Sequence, residues 1–183
     1  MTKEEFFLGT LNTHFEPPKK ARKKPPKYPL DPGTLERYNS THVEWFKKKF
    51  PSTYKDGHYV EPKIPDYQTA NGLTTWISNY MDWSGGDGNR INTAGRQVDG
   101  RYIKSTTKLG TADTSCIHPL NGVTFYVEVK AGKDTPSPDQ LIRQAKIRKS
   151  GGIYEFVKTP MDFFRVYDKV GTIIVSKPFG LFD

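Results

Sequence analysis

The chain has 183 residues, enough for one ordinary domain and a tail. Lysine and arginine number 28 against 20 aspartates and glutamates, and the net charge of +8 suits a polyanionic partner such as DNA. A single cysteine, Cys116, excludes an intramolecular disulfide and points to a reducing, cytoplasmic setting, while no apolar run approaches a membrane span and no membrane partner is expected.

The N-terminal residues carry acids and no following apolar core, which is not the pattern of a secretory signal. Residues 1–30 differ in composition from the rest. Lys19, Lys20, Arg22, Lys23, Lys24 and Lys27 lie among prolines that block helix and sheet, so the sequence predicts a flexible or extended arm. Such an arm serves equally as a phosphate-binding strap, a nuclear address or a solubilising tail. Asp31-Pro32-Gly33 is turn chemistry, and Thr34 is the expected cap of a helix whose apolar stripe is Leu35, Tyr38, Val43, Trp45, Phe46 and Phe50. Pro51 is expected to end it. Glu36 and Glu44 on this helix are candidates for an acidic site residue.

Residues 52–82 carry Pro62, Pro65 and many aromatics without clear periodicity, which reads as a loop-rich insertion with one short helix near residues 75–81. Residues 83–90 are a glycine-rich loop by composition. It lacks the Gly-Lys-Ser/Thr ending of a nucleotide-binding loop, so nucleotide binding is not expected. One strand is expected over 101–106, turning at 108–110 into a second over 111–118. Asn121-Gly122 then suits a turn that needs positive φ, and a third strand follows at once. Ser137 at the cap and Pro138 at the first position open a helix that closes at Gly151-Gly152, with Leu141, Ile142 and Ala145 as its buried face. Gln140, Arg143, Gln144 and Ile147 fall on the other side. Another strand is expected over 153–157, a short helix from Thr159-Pro160 through Tyr167, and a last strand over 172–175.

The stretch that carries chemistry is the strand around Phe125-Tyr126-Val127-Glu128-Val129-Lys130. Alternation places Glu128 and Lys130 on one face and Val127 and Val129 on the other. Burying such a pair is costly without compensation, and a metal ion with a phosphate would supply it; the alternative is an edge strand with one wet face. The preceding turn brings Asp113 near Glu128. Asp113, Glu128 and the Val129 carbonyl then offer hard oxygen ligands for Mg²⁺ or Mn²⁺, whose bound water is a ready nucleophile. Lys130 is placed to stabilise charge on a phosphate. Arg90, Arg96, Lys104, Lys108 and Arg143 are the candidate DNA contacts. Cys116 and His118 share a strand face, but no further cysteine or paired histidine completes a zinc site. His14, His42 and His58 show no ligand spacing either.

Gly110-x-x-Asp113, Glu128-Val129-Lys130, Ser137-Pro138-x-Gln140 and Gly151-Gly152, in that order, resemble the VRR-NUC branch of the PD-(D/E)XK nuclease superfamily over about residues 90–168. The Val43-Glu44-Trp45-Phe46 helix is similar to the one that opens the domain in phage members. The resemblance implies an α/β, restriction-endonuclease-like core over residues 31–183, with a mixed central sheet flanked by helices. It also implies divalent-metal-dependent DNA cleavage, a preference for branched DNA such as four-way junctions, and a capacity to form a homodimer. Asp113, Glu128 and Lys130 fall on the family's catalytic positions and Gln140 on its helix glutamine. Ala112 departs from the proline or serine usual before the aspartate. The basic arm and residues 52–82 lie outside the resemblance. The competing reading is a DNA-binding module that keeps the fold without catalysis; a more distant one is a basic virion or scaffold protein.

Overall fold

A computed structural model describes residues 29–91, 96–103 and 107–174. The expected arm at 1–30 and the candidate contact Lys104 therefore lie outside the described residues, apart from Pro29 and Leu30.

Asp31, not Thr34, caps the first helix. Its carboxylate accepts the Thr34 N–H at 3.1 Å, with Pro32 in the first turn where its missing N–H costs nothing. This helix, α1 (Pro32–Lys49), buries Thr34, Tyr38, His42 and Phe46, one residue per turn on a single face. The stripe therefore runs through a threonine and a histidine that hydrophobicity does not flag, and Phe50 at its end is 41% exposed. Pro51 does end α1, and it also opens the five-residue α2 (Pro51–Lys55).

Residues 56–69 carry no helix or strand, as their composition suggests, but the chain then forms a longer helix than expected. Thr69 caps α3 (Ala70–Trp83) by accepting the Gly72 N–H. Leu73, Trp76, Ile77, Tyr80 and Met81 from α3 are all within the core, so its aromatics are packing residues. Trp76 stacks on Tyr38 of α1 with ring centroids 4.5 Å apart. Gly72 is required here, because a Cβ would lie 2.0 Å from the Asp66 carbonyl oxygen.

The glycine-rich segment after α3 is not a loop throughout: β1 (Asp87–Arg90) runs antiparallel to β4 (Thr114–Ile117). A Cβ on Gly88 would meet Ser78 and Met81, so small residues let β1 lie against α3. The strand expected over 101–106 is shorter and pairs elsewhere. β2 (Arg96–Val98) and β3 (Arg101–Ile103) form a separate two-stranded hairpin, and β4 pairs with β1 instead. β4 then runs antiparallel to β5 (Thr124–Val129), and β5 parallel to β6 (Ile153–Val157), giving the order β1-β4-β5-β6. The parallel pair is bridged by α4 (Pro138–Lys149), as a parallel connection requires. α5 (Pro160–Gly171) follows, opened by a capping box of Thr159 and Asp162. No strand forms at 172–174; Ile174 is 95% exposed, and Val175 lies outside the described residues.

The result is a mixed α/β architecture. Phe125, Val127 and Val129 of β5 face a core built with α3, α5 and Tyr38 of α1, while Glu128 and Lys130 face the other way, towards α4. The β5 strand is interior, not a wet edge. Among the described residues no helix is long and apolar enough to cross a membrane.

α4 reverses its expected orientation. It buries no side chain; Leu141 and Ile142 are 50% and 67% exposed, while Gln140, Arg143, Gln144 and Ile147 turn inwards. The surface under α4 carries buried charge, so polar side chains win the inner face.

Candidate active site

The β5 strand sits between β4 and β6, and this position takes Glu128 and Lys130 out of water. Their residues are 3% and 4% exposed, and Lys130 Nζ lies 2.9 Å from Glu128 Oε1. Each has further partners. Lys130 also meets Asp134 Oδ2 at 3.2 Å, and the Gln140 side-chain amide donates to Glu128 Oε1. The Tyr154 hydroxyl donates to the Gly110 carbonyl at 3.0 Å and lies 3.4 Å from Glu128 Oε2. Burial raises the pKa of Glu128, the Lys130 hydrogen bond opposes that rise, and the negative charge of Asp113 adds to it. Burial works against the charge on Lys130, but Glu128 and Asp134 more than offset it, and its pKa rises.

Asp113 immediately precedes β4, and its carboxylate accepts the Val129 N–H at 2.9 Å. The next amide, that of Lys130, points the opposite way, to the Val157 carbonyl at 2.8 Å. The Val129 carbonyl, on the same side as its own amide, thus faces the Asp113 side of the strand. Gln140 has two jobs. Its Oε1 accepts the Ser137 N–H at 2.8 Å, completing the capping box of α4, while its Nε2 reaches Glu128.

Gly110 lets α4 come this close. Its φ is +72°, and a Cβ there would lie 2.4 Å from the Asp139 carbonyl oxygen. Arg143, half-buried on the inner face of α4, lowers the pKa of Tyr154 against a strong upward push from burial, and its Nε has no hydrogen-bond partner among the described residues. Among the basic candidates whose side chains are described, Arg143 is therefore the one beside the carboxylates. Arg90 is exposed on β1 and donates to Asn71 Oδ1 at 2.6 Å, and Lys108 is exposed before Gly110. Arg96 belongs to β2. Glu44 is spent on Lys47 at 2.7 Å, and Glu36 is exposed; α1 packs against α3 on the far side of the sheet, so neither acid joins this cluster.

No family model matches the chain, and no curated protein or solved structure does either.

Among the described residues no group of three His, Cys, Asp or Glu side chains converges as a metal-ligating set. Asp113 lies near enough to Glu128 for its charge to raise that group's pKa, and the hard oxygens of the two with the Val129 carbonyl suit Mg²⁺ or Mn²⁺, which retain several waters. Cys116 is buried in β4 and its thiol pKa is pushed far up by burial, so it is no nucleophile. Tyr154, Asp134 and Gln144 escape the sequence reading. Tyr154 becomes visible only once the parallel β5–β6 register, Tyr126 opposite Tyr154, places its side chain on the face of Glu128. Gln144 donates to the Tyr154 carbonyl at 3.0 Å and ties α4 to β6.

Proposed function

We propose that the chain is a Mg²⁺- or Mn²⁺-dependent DNA endonuclease with a restriction-endonuclease-like core, selective for branched DNA. The observation that carries this reading is the buried Glu128–Lys130 pair with Asp113 and Gln140 around it. A buried ion pair adds little to stability, and apolar residues of similar volume do as well or better. Charge kept in such a place is more economically explained by chemistry. The net charge of +8 and the resemblance to VRR-NUC nucleases support the same reading.

In this reading Asp113, Glu128 and the Val129 carbonyl would hold the metal, which would supply an activated water and neutralise charge on the phosphate. Lys130 donates from Nζ to the attacked phosphate group, where negative charge grows. Gln140 orients the Glu128 carboxylate, and Tyr154 holds its second oxygen. Arg143 adds a cation for the DNA backbone. The test is incubation of linear, flap and four-way-junction DNA with Mg²⁺, Mn²⁺ or EDTA. Metal-dependent cleavage, strongest on branched substrates, is the expected outcome, and no cleavage of any substrate removes the enzyme reading.

One observation favours a second reading, a DNA-binding module without catalysis. Both Glu128 oxygens already have partners within the protein. Tight DNA binding with no cleavage in either metal would select it.

A further inference from the structure

Strand β6 ends the four-stranded sheet: β5 lies on one side, and among the described residues no strand lies on the other. Because the Val157 carbonyl turns towards β5, alternation along the strand turns the backbone groups of Tyr154 and Phe156 to the open edge. Gln144 satisfies the Tyr154 carbonyl. Among the described residues no strand meets the two amides or the Phe156 carbonyl. Such an edge accepts an added strand through main-chain hydrogen bonds, and pockets beside it select the side chains.

A groove of about 300 Å³ runs along this edge, on the α5 face of the sheet. Ile153, Val166, Val170 and Ile173 give it an apolar floor. Its rim carries Arg148, Arg165 and Lys169 against one carboxylate, Glu155. Glu155 is paired with Arg148 at 2.6 Å, and Arg165 reaches Asp162 at 3.2 Å. Lys169 has no ion-pair partner among the described residues.

We propose that this edge and groove bind an extended, acidic segment of a partner protein, which adds to β6 as a fifth strand and seats an apolar side chain on the groove floor. The cationic rim decides between occupants. A second copy of this chain pairing edge to edge would bring two basic rims together, which costs free energy. A nucleic-acid backbone offers phosphates to the rim but no apolar side chain for the floor. Residues 175–183 of this chain carry one lysine and one aspartate, which give the rim no net charge to select. The groove lies on the face opposite Glu128, so the inference stands apart from the nuclease reading.

The experiment uses the full chain and a fluorescein-labelled peptide, Glu-Glu-Val-Glu-Val-Glu-Glu, with its lysine counterpart as control. Anisotropy reads affinity, and NMR amide exchange reads the edge. Saturable binding of the acidic peptide alone is expected, with slowed exchange at the Tyr154 and Phe156 amides. Lys169→Glu, an exposed change that leaves the core intact, is expected to weaken binding about three- to tenfold by turning one rim attraction into repulsion. No saturable binding of the acidic peptide overturns the proposal. So does binding that appears only after deletion of 175–183, which would make that segment the occupant. Protection of the same amides by self-association, or by duplex DNA in preference to the peptide, overturns it in favour of those partners.

Discussion

Removing Lys130 leaves Glu128 as a buried carboxylate without its cation, and the cost follows from the geometry. The two groups meet at 2.9 Å with side chains 5% and 4% exposed, so water cannot take over the role of the ammonium. Breaking a buried pair by deleting one partner costs about 3–5 kcal/mol, a large part of the 5–15 kcal/mol that holds a typical domain together. Lys130→Met keeps the length of the side chain and removes the charge, so it isolates this term from a packing defect. The companion Glu128→Gln keeps the shape on the other side and leaves Lys130 with Asp134. If the pair is a unit, the double variant is more stable than the sum of the singles predicts, by about 1.5–3 kcal/mol. Urea unfolding of all four proteins in EDTA, followed by circular dichroism, measures the cycle. Additive effects within about 0.5 kcal/mol would refute the view that each charge is buried on account of the other.

Asp113→Ala is expected to abolish metal-dependent cleavage while leaving the circular dichroism spectrum unchanged, because its partner is a single amide at the end of β5; retained cleavage removes Asp113 from the site. Gln140→Glu separates two roles, since a carboxylate still caps α4 through the Ser137 N–H but repels Glu128. Thermal stability is expected to fall by a few degrees at most and the single-turnover cleavage rate by tenfold or more, about 1.4 kcal/mol; equal losses in both would make Gln140 purely structural. Gly110→Ala forces a side chain into φ +72° and against the Asp139 carbonyl, a cost of about 1–3 kcal/mol visible in urea unfolding. His118 is buried, its Nε2 has no hydrogen-bond partner among the described residues, and burial lowers its pKa despite some help from Asp168. A depressed pKa contributes stability above the unfolded value near 6.5 that is lost as pH falls through the folded value. Stability is therefore expected to drop on acidification below about pH 6.5, and His118→Leu to flatten part of that slope, His42 supplying the same sign for the rest.

The elements legible in the sequence were those whose signals are local. Ser137-Pro138 and Thr159-Pro160 open α4 and α5 where the capping chemistry places them, and Glu128 and Lys130 share a face because alternation leaves no other choice. The misreadings came from tertiary context. β1 lies within a segment of glycines and polar residues because small residues are needed against Ser78 and Met81, a requirement set by α3. The hairpin partner of β3 was misassigned because pairing depends on which edge is free, and β4 already has β1. The helix expected near residues 75–81 extends to Ala70–Trp83 because Thr74, which interrupts the apolar pattern, donates to its own helix at the Ala70 carbonyl and is buried there. Tyr154 needed the parallel register to be seen at all.

α4 shows why a hydrophobic pattern can point the wrong way. A helix laid over a sheet face that exposes a carboxylate and an ammonium cannot cover them with leucine and isoleucine without stranding both charges. Its attachment is polar instead: Gln140 to Glu128, Gln144 to the Tyr154 carbonyl, and Arg148 to Glu155. Leu141 and Ile142 are outside because the inner positions are taken. The first turn of α4 is consequently tied to the electrostatic state of the site. Gln140 cannot change its bond to Glu128 without disturbing the cap that it forms with Ser137, so whatever Glu128 binds is felt at the start of the helix. Arg143, one turn further along, moves with it. The same glutamine that holds the carboxylate thereby sets where the Arg143 guanidinium stands.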